Sequence, residues 1–260
     1  MKIVSFNIRC AWNGDGINSF IHRIGLIYEK INAEKPDVIG FQEMMDEHLE
    51  ILIKIFPEYQ FTGSGRYKNY QGEGVYIAFK KDAFIEVEKK VFWLSPTPEI
   101  PESRFDFQRA MRHCIATCLY HKESGKCFYV YNTHMDHYHL VNKDADPKVD
   151  ARTKGAKIIL ERINADIKEK GFPVILMGDF NSTPDTDAVK IFNEGGLIDL
   201  SKDLENTFHN YGKITSGWKI DYIFVTPNLK DKSSPAYIWE NTKNGIYLSD
   251  HHPIATEIDF

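Results

Sequence analysis

Pro173-Val174-Ile175-Leu176-Met177-Gly178-Asp179-Phe180-Asn181-Ser182-Thr183-Pro184 is the stretch on which the reading of this chain turns. An apolar run of strand length ends at a glycine and is followed by a carboxylate and an amide two residues apart. An extended backbone points such a pair the same way. Ser182-Thr183-Pro184 then signals the start of a helix. A buried strand that carries polar groups to its end and hands over to a helix belongs in an α/β sheet, and such sheets collect ligands at strand ends. The plainer alternative for the motif alone is a polar loop that caps a helix.

Working outward, apolar runs of strand length recur at 2–8, 37–41, 75–79, 115–120, 127–132, 220–225 and 253–258. Between them, residues 17–34 place Ile17, Phe20, Ile21, Ile24, Ile27, Tyr28 and Ile31 at helical spacing, and Pro36 stops the helix. Residues 151–169 repeat the pattern with Ala156, Ile159, Leu160, Ile163 and Ile167, ended by Gly171 and Pro173. A shorter helix follows from Asp185 to Glu194. Lys122-Glu123-Ser124-Gly125-Lys126 is a turn between two strands, and the spacing of 75–79 and 84–88 suggests a second hairpin. Mixed sheets covered by helices on their outer faces fit this order best, in one domain over 1–260.

The 260 residues carry 32 Lys and Arg against 37 Asp and Glu, a formal charge of -5. That balance gives no overall pull toward nucleic acid or an anionic membrane, where counterion release would drive affinity. Cys10, Cys114, Cys118 and Cys127 have no metal-site spacing and read as reduced, packed thiols. No apolar run approaches the ~20 residues of a membrane span, and the N-terminal residues run straight into a strand, so a cytoplasmic location is expected.

Several polar residues stand at strand ends. Asn7 closes the first run and Glu43 follows the second. Alone, the one is a turn former and the other a helix-start acid; together they make the sparse oxygen site that suits Mg²⁺, with Mn²⁺ as the alternative. In Asn132-Thr133-His134-Met135-Asp136-His137 the histidines invite a zinc reading. The oxygen-rich surroundings favour His134 as a donor to phosphate, with Asp136 bracing it. Asp221 opens an apolar strand and needs a partner if buried, for which His251 of Ser249-Asp250-His251-His252-Pro253 is the candidate.

Six of these segments in order resemble the endonuclease/exonuclease/phosphatase superfamily: Ser5-Phe6-Asn7-Ile8, Gln42-Glu43, Thr133-His134-Met135-Asp136-His137, Gly178-Asp179-Phe180-Asn181, Ile220-Asp221-Tyr222 and Ser249-Asp250-His251. The resemblance implies a four-layered α/β sandwich, two mixed β-sheets face to face flanked by helices. It implies that Glu43 is the principal metal ligand, with Asn7 and Asp250 close to the ion. It makes Asp179 the residue that orients or deprotonates the attacking water, with Asn181 bonding the phosphate. His251, held by Asp221, would stabilise the pentacovalent transition state, though either Asp179 or His251 could be the base. His134 takes the position where relatives set a His or Tyr against the phosphate. Gly14-Asp15-Gly16, Glu73-Gly74-Val75-Tyr76-Ile77, Phe92-Trp93-Leu94-Ser95-Pro96-Thr97-Pro98 and Arg112 resemble a bacterial branch of small members, which usually shows an aromatic residue shortly after that arginine. Here His113-Cys114 departs from that pattern.

The chemistry expected is hydrolysis of a P–O bond by metal-assisted in-line attack of water. The substrate expected is a phosphorylated small molecule, with no membrane and no obligate protein partner. A DNA or RNA nuclease is the alternative, for which Gly65-Arg66-Tyr67-Lys68-Asn69-Tyr70 could be a stacking wall or a solvated loop. A lipid phosphodiesterase lacks an apolar membrane-facing loop, and a catalytically silent binding module is argued against by the intact residue set. Arg109 and Arg112 follow a loop stiffened by Pro96, Pro98 and Pro101, and a planar guanidinium suits a bidentate grip on phosphate. Arg112 is therefore expected at the substrate phosphate, the alternative being a surface salt bridge with the pocket wall in 65–73 and 137–150.

Overall fold

The computed structural model describes residues 1–108, 110–137, 150–240 and 242–260, so Arg109 and most of 137–150 lie outside the described residues. Its first half runs β1 (Lys2–Asn7), α1 (Phe20–Glu34), β2 (Val38–Met44), α2 (Asp46–Ile55), β3 (Tyr59–Gly65) and β4 (Gly74–Lys80). Then come β5 (Phe84–Trp93), β6 (His113–His121), β7 (Lys126–His134), α3 (Ala151–Lys170), β8 (Val174–Asp179), α4 (Asp187–Glu194), β9 (Ile198–Asp199) and β10 (Asp221–Val225). The chain ends with β11 (Tyr237–Ile238), the small hairpin β12 (Thr242–Lys243) and β13 (Ile246–Tyr247), and β14 (Ile254–Glu257).

Two six-stranded sheets form, in the orders β11-β14-β1-β2-β4-β3 and β5-β6-β7-β8-β10-β9. Each holds one parallel pair, β1 with β2 and β7 with β8, inside otherwise antiparallel neighbours. Three apolar clusters define four layers. Ile3, Val38, Ile77, Val130, Ile175 and Ile223 fill the space between the sheets. Val4, Phe6, Phe41 and Ile39 pack under Phe20, Ile27 and Ile31 of α1, while Tyr131, Leu176, Phe180 and Phe224 pack under Ile159 and Ile163 of α3. Alternate residues of β1 and β8 thus enter different clusters, which is why both runs are mostly apolar rather than alternating. Each such side chain contributes roughly 1.5–3 kcal/mol by burial.

Local chemistry sets the ends. Lys35 takes the left-handed conformation before Pro36, closing α1. Asp150 accepts from the Arg152 amide to cap α3, and Gly171 at φ 68° ends it. Gly178 has φ 148°, and a Cβ there would come 2.0 Å from the Thr133 carbonyl oxygen, so only glycine lets β8 close on β7 beside Asp179.

Two expectations are corrected. The hairpin of 75–79 with 84–88 does not form: β4 pairs with β2 and β3, and β5 begins the other sheet beside β6. Phe84 leaves the turn pointing into the inter-sheet core, which carries the chain across instead of back. Ile17 and Ile21 lie on the solvent side, the buried face of α1 being Phe20, Arg23, Ile27 and Ile31. Among the described residues no helix is long and apolar enough to cross a membrane.

Candidate active site

Both parallel pairs end at the same rim. Asn7 is in register with Gln42, and His134 with Asp179. In β2 the register shifts between Phe41 and Met44, and Glu43 sits at φ 57°. Such a bulge re-aims a side chain, here into the cavity. Asn132 of β7 supports it from the opposite sheet, donating to the Phe41 and Tyr76 carbonyls at 2.8 and 2.9 Å and accepting from Gln42 Nε2 at 2.7 Å. Arg9 (φ 61°) and Asn181 (φ 48°) are likewise left-handed, and clustering of such residues marks a site whose surroundings hold it in shape. Arg23, fully buried, donates to the carbonyls of Ile8, Arg9, Asn18 and Leu248, pinning the loops that carry Arg9 and Asp250.

The strand ends surround a cavity of about 640 Å³ lined by Glu43, Arg112, His134, Asp179, Asn181, Asp250 and His251, seven of the residues expected from the sequence. Asn7 and Asp221 stand behind it. Asp179 is the hub. Its Oδ2 accepts from Asn7 Nδ2 at 3.0 Å, with His134 Nε2 at 3.4 Å and His251 Nε2 at 3.7 Å, and its Oδ1 accepts from the Asn181 amide at 2.8 Å. Burial, with Asp221 and Glu43 nearby, pushes its carboxyl up to about 7 against the opposing pull of His251.

The two histidines differ in charge. His251 Nδ1 donates to Asp221 Oδ2 at 2.9 Å while Nε2 faces Asp179. Burial opposes its protonation, but the two carboxylates outweigh burial and push it up to about 10. The carboxylates on either side favour its charged form, and the Asn7 amide nitrogen stands 3.4 Å from Nε2 as well. His134 Nδ1 lies 3.0 Å from Arg112 Nη1. A guanidinium can only donate, so that nitrogen accepts and Nε2 carries the proton toward Asp179. Burial and then Arg112 hold His134 well below its usual range, hence neutral. Its partner is Arg112, where Asp136 was expected.

Arg112 is buried and faces the cavity with Glu43 and His251, and it is also ion-paired: Nη1 donates to Glu73 Oε1 at 2.9 Å, shared with Arg66. Asn181 Nδ2 donates to the Met135 carbonyl at 3.0 Å. An amide nitrogen carries two hydrogens, so this contact orients the group without exhausting it. Gly65–Tyr70 do not wall this cavity: Tyr67, Lys68 and Asn69 line a separate open hollow with Glu102.

The donor set fits a hard divalent ion. Glu43 Oε2 and Asp250 Oδ2 converge on one cation, the Arg9 guanidinium, at 3.8 and 3.6 Å. Burial raises Glu43, but Arg9, the Cys10 amide and His251 outweigh it and keep it ionised, whereas Asp250 is raised, first by burial. Asn7 differs from expectation. Its oxygen accepts from the Arg9 amide at 3.0 Å and its nitrogen faces Glu43 and Asp179, so it offers the site a donor, not an oxygen. Two trios of ligand atoms lie within 4.8 Å of one another: Glu43, His134 and Asp179; and Asp179, Asp221 and His251. In the second, His251 Nδ1 and Asp221 Oδ2 are already engaged with each other at 2.9 Å.

Sequence reading missed Arg9, Cys10, Arg152, Phe208 and Trp218, which also line the cavity. Arg152 donates to the Asn181 carbonyl at 2.6 Å. Phe208 packs 4.9 Å from the His251 ring and edge-on to half-exposed Trp218. Trp218 stands three residues before Asp221, the only local signal of that wall.

With this geometry in view, the comparisons with known proteins are direct. Residues 4–251 match the model of the Endonuclease/Exonuclease/phosphatase family. A mannosyl-6-phosphatase of Bacteroides thetaiotaomicron is 27% identical, with all of both chains covered and a TM-score of 0.87. An endonuclease/exonuclease/phosphatase of Bacteroides vulgatus is 26% identical over 100% of this chain and 98% of the other, also with TM-score 0.87. An uncharacterised protein of Acanthamoeba polyphaga mimivirus is 24% identical over 98% of each chain. The chain belongs to the endonuclease/exonuclease/phosphatase family and is a hydrolase of phosphoester bonds, in a family that generally uses a divalent metal.

Proposed function

We propose that this chain is a Mg²⁺-dependent phosphomonoesterase of one catalytic domain, acting on a small phosphorylated metabolite, with a sugar phosphate the first to test and Mn²⁺ the alternative ion. The observation that carries the reading is the cavity itself. It is about 640 Å³, the size of a small-molecule site, with Asp179, two histidines of different charge and Arg112 at its polar side. Phe208, Trp218 and Ile220 make one short apolar wall that suits the ring face of a sugar. The name of the mannosyl-6-phosphatase relative points the same way.

The roles follow from geometry. His251 stands between the Asp221 and Asp179 carboxylates, which favour its charged form, so the orientation and deprotonation of the water fall to Asp179. The imidazolium of His251, the His134 Nε2–H, the Asn181 amide and Arg112 meet the charge that grows on the phosphate oxygens. A divalent ion held by Glu43 and Asp250 would supply Lewis-acid neutralisation of that charge. Asn7 spans from Glu43 to Asp179 and holds the two halves in register. The four free thiols are in keeping with a reducing compartment such as the cytoplasm.

A nuclease is the second reading, favoured by half-exposed Trp218, which could stack a base. The test is a panel with Mg²⁺ or Mn²⁺: sugar and other phosphomonoesters, a generic phosphodiester, and single- and double-stranded DNA and RNA. Turnover of monoesters with loss in chelator is expected. Preference for a diester or a nucleic acid would overturn the substrate reading.

A further inference from the structure

Arg9 places a fixed cation beside Glu43 and Asp250, the two carboxylates read as holding the metal. Its guanidinium grips Asp15 through two bonds, Nε to Oδ2 at 3.0 Å and Nη2 to Oδ1 at 3.2 Å. Tyr211 donates to the same Asp15 oxygen at 2.9 Å, and Arg9 lies over the Trp12 ring at 5.6 Å. Glu43 and Asp250 are farther, at 3.8 and 3.6 Å, beyond hydrogen-bonding distance. Asp15 is almost fully buried, so withdrawal of the guanidinium would leave a buried carboxylate unpaired, which is costly. Arg23 fixes the Arg9 backbone through its carbonyl as well. The cation is anchored from the far side and is not held in place by the carboxylates that face the cavity.

We propose that Arg9 is the built-in second cation of this site, a charge-balancing residue that restricts the enzyme to a single divalent ion. Asp15, Glu43 and Asp250 carry three negative charges against one guanidinium. Over these contacts alone the remainder equals the charge of one divalent ion, and the cationic His251 that acts on Glu43 and Asp250 adds to what opposes a second. Coulomb repulsion at such separations is strong in a partly buried site. Arg9 therefore weakens the binding of the first ion, opposes a second, and itself faces the cavity that takes the phosphate. The inference rests on the reading that Glu43 and Asp250 hold the metal.

The test is Mn²⁺ titration of the full chain, followed by calorimetry and by the electron paramagnetic resonance of free Mn²⁺, for the native protein, Arg9→Met and Arg9→Lys. The native chain should take one ion. Arg9→Met should bind at least ~10-fold more tightly, about 1.4 kcal/mol, or take a second ion, while losing turnover. Arg9→Lys, which restores charge but not the fork, should return to within about threefold of the native affinity. A purely structural arginine would instead weaken metal binding when removed and would not be rescued by Lys. Two ions in the native chain, or unchanged or weaker binding in a folded Arg9→Met, would overturn the inference; if Arg9→Met does not fold, Arg9→Gln is read by the same criteria. A native chain that binds no Mn²⁺ would instead sink the metal reading beneath it.

Discussion

In one sheet β1 and β2 run parallel and end at Asn7 and Gln42; in the other β7 and β8 run parallel and end at His134 and Asp179. The positions are topologically equivalent and the outcomes are not. The first pair ends in irregular backbone, with Arg9 and Glu43 left-handed and the bulge held by Asn132. Around it gather carboxylates facing a cation. The second pair keeps its register to the last residue and presents a neutral imidazole beside a carboxyl raised by burial. Strand topology fixes where groups converge; burial and the charges placed behind them fix what each does. His251, from the loop before β14, joins the two by reaching across to Asp221 and Asp179.

The most damaging way to break this division is Asp179→Asn. Loss of the base should cut kcat by roughly 10³-fold or more, measured by steady-state turnover with KM little changed. His251→Ala removes one transition-state donor and should cost at least ~10²-fold in kcat; an effect confined to KM would reassign it to ground-state binding.

Asn132→Leu breaks the tie between the sheets. It strands the Phe41 and Tyr76 carbonyls and Gln42 in the interior, at about 1–3 kcal/mol for each group left unsatisfied. Denaturant unfolding should show that loss, and a stability within 0.5 kcal/mol of native, roughly the scatter of neutral substitutions, would refute the role. Arg112→Lys keeps the charge but loses the planar group whose Nη1 meets both Glu73 and His134 while Nη2 faces His137. A change of about tenfold in KM or kcat is expected from the loss of a bidentate contact, with Mn²⁺ affinity untouched.

The smallest effect is on stability against pH. Burial lowers His113 to about 4 and His48 to about 3, below the ~6.5 of an unfolded histidine. Between those values the unfolded chain binds protons the folded one refuses. Stability is therefore full above pH ~6.5 and falls as pH drops, by up to ~1.4 kcal/mol per pH unit for each group. His113→Gln should flatten part of that slope in unfolding curves taken from pH 7.5 to 5.

What could be read in the sequence was what is local or ordered along it. Runs buried on both faces, the helix over α3 and the strand-end polar motifs all announce themselves within a dozen residues. The elements β3 and α2 did not: Thr62, Gly63, Ser64 and Gly65 look like a loop, and the ten residues of α2 carry no long apolar stripe. Arg9 depends on Asp15 and on Tyr211, 196 residues from Asp15, and Arg23 on carbonyls as distant as Leu248. Tautomer and charge at His134 depend on Arg112, which no spacing rule pairs with it, whereas the partner of His251 was legible because a buried Asp221 needs one.

The division between the sheets can be tested most directly by titrating Mn²⁺ into Glu43→Gln and Asp179→Asn side by side. Both carboxylates belong to one trio of atoms within 4.8 Å, so either could hold an ion. If Glu43 serves the metal and Asp179 the water, Glu43→Gln should lose measurable Mn²⁺ binding while Asp179→Asn binds within a few-fold of the native chain and still fails to turn over. Equal loss of metal by both variants would make Asp179 a ligand and contradict the account.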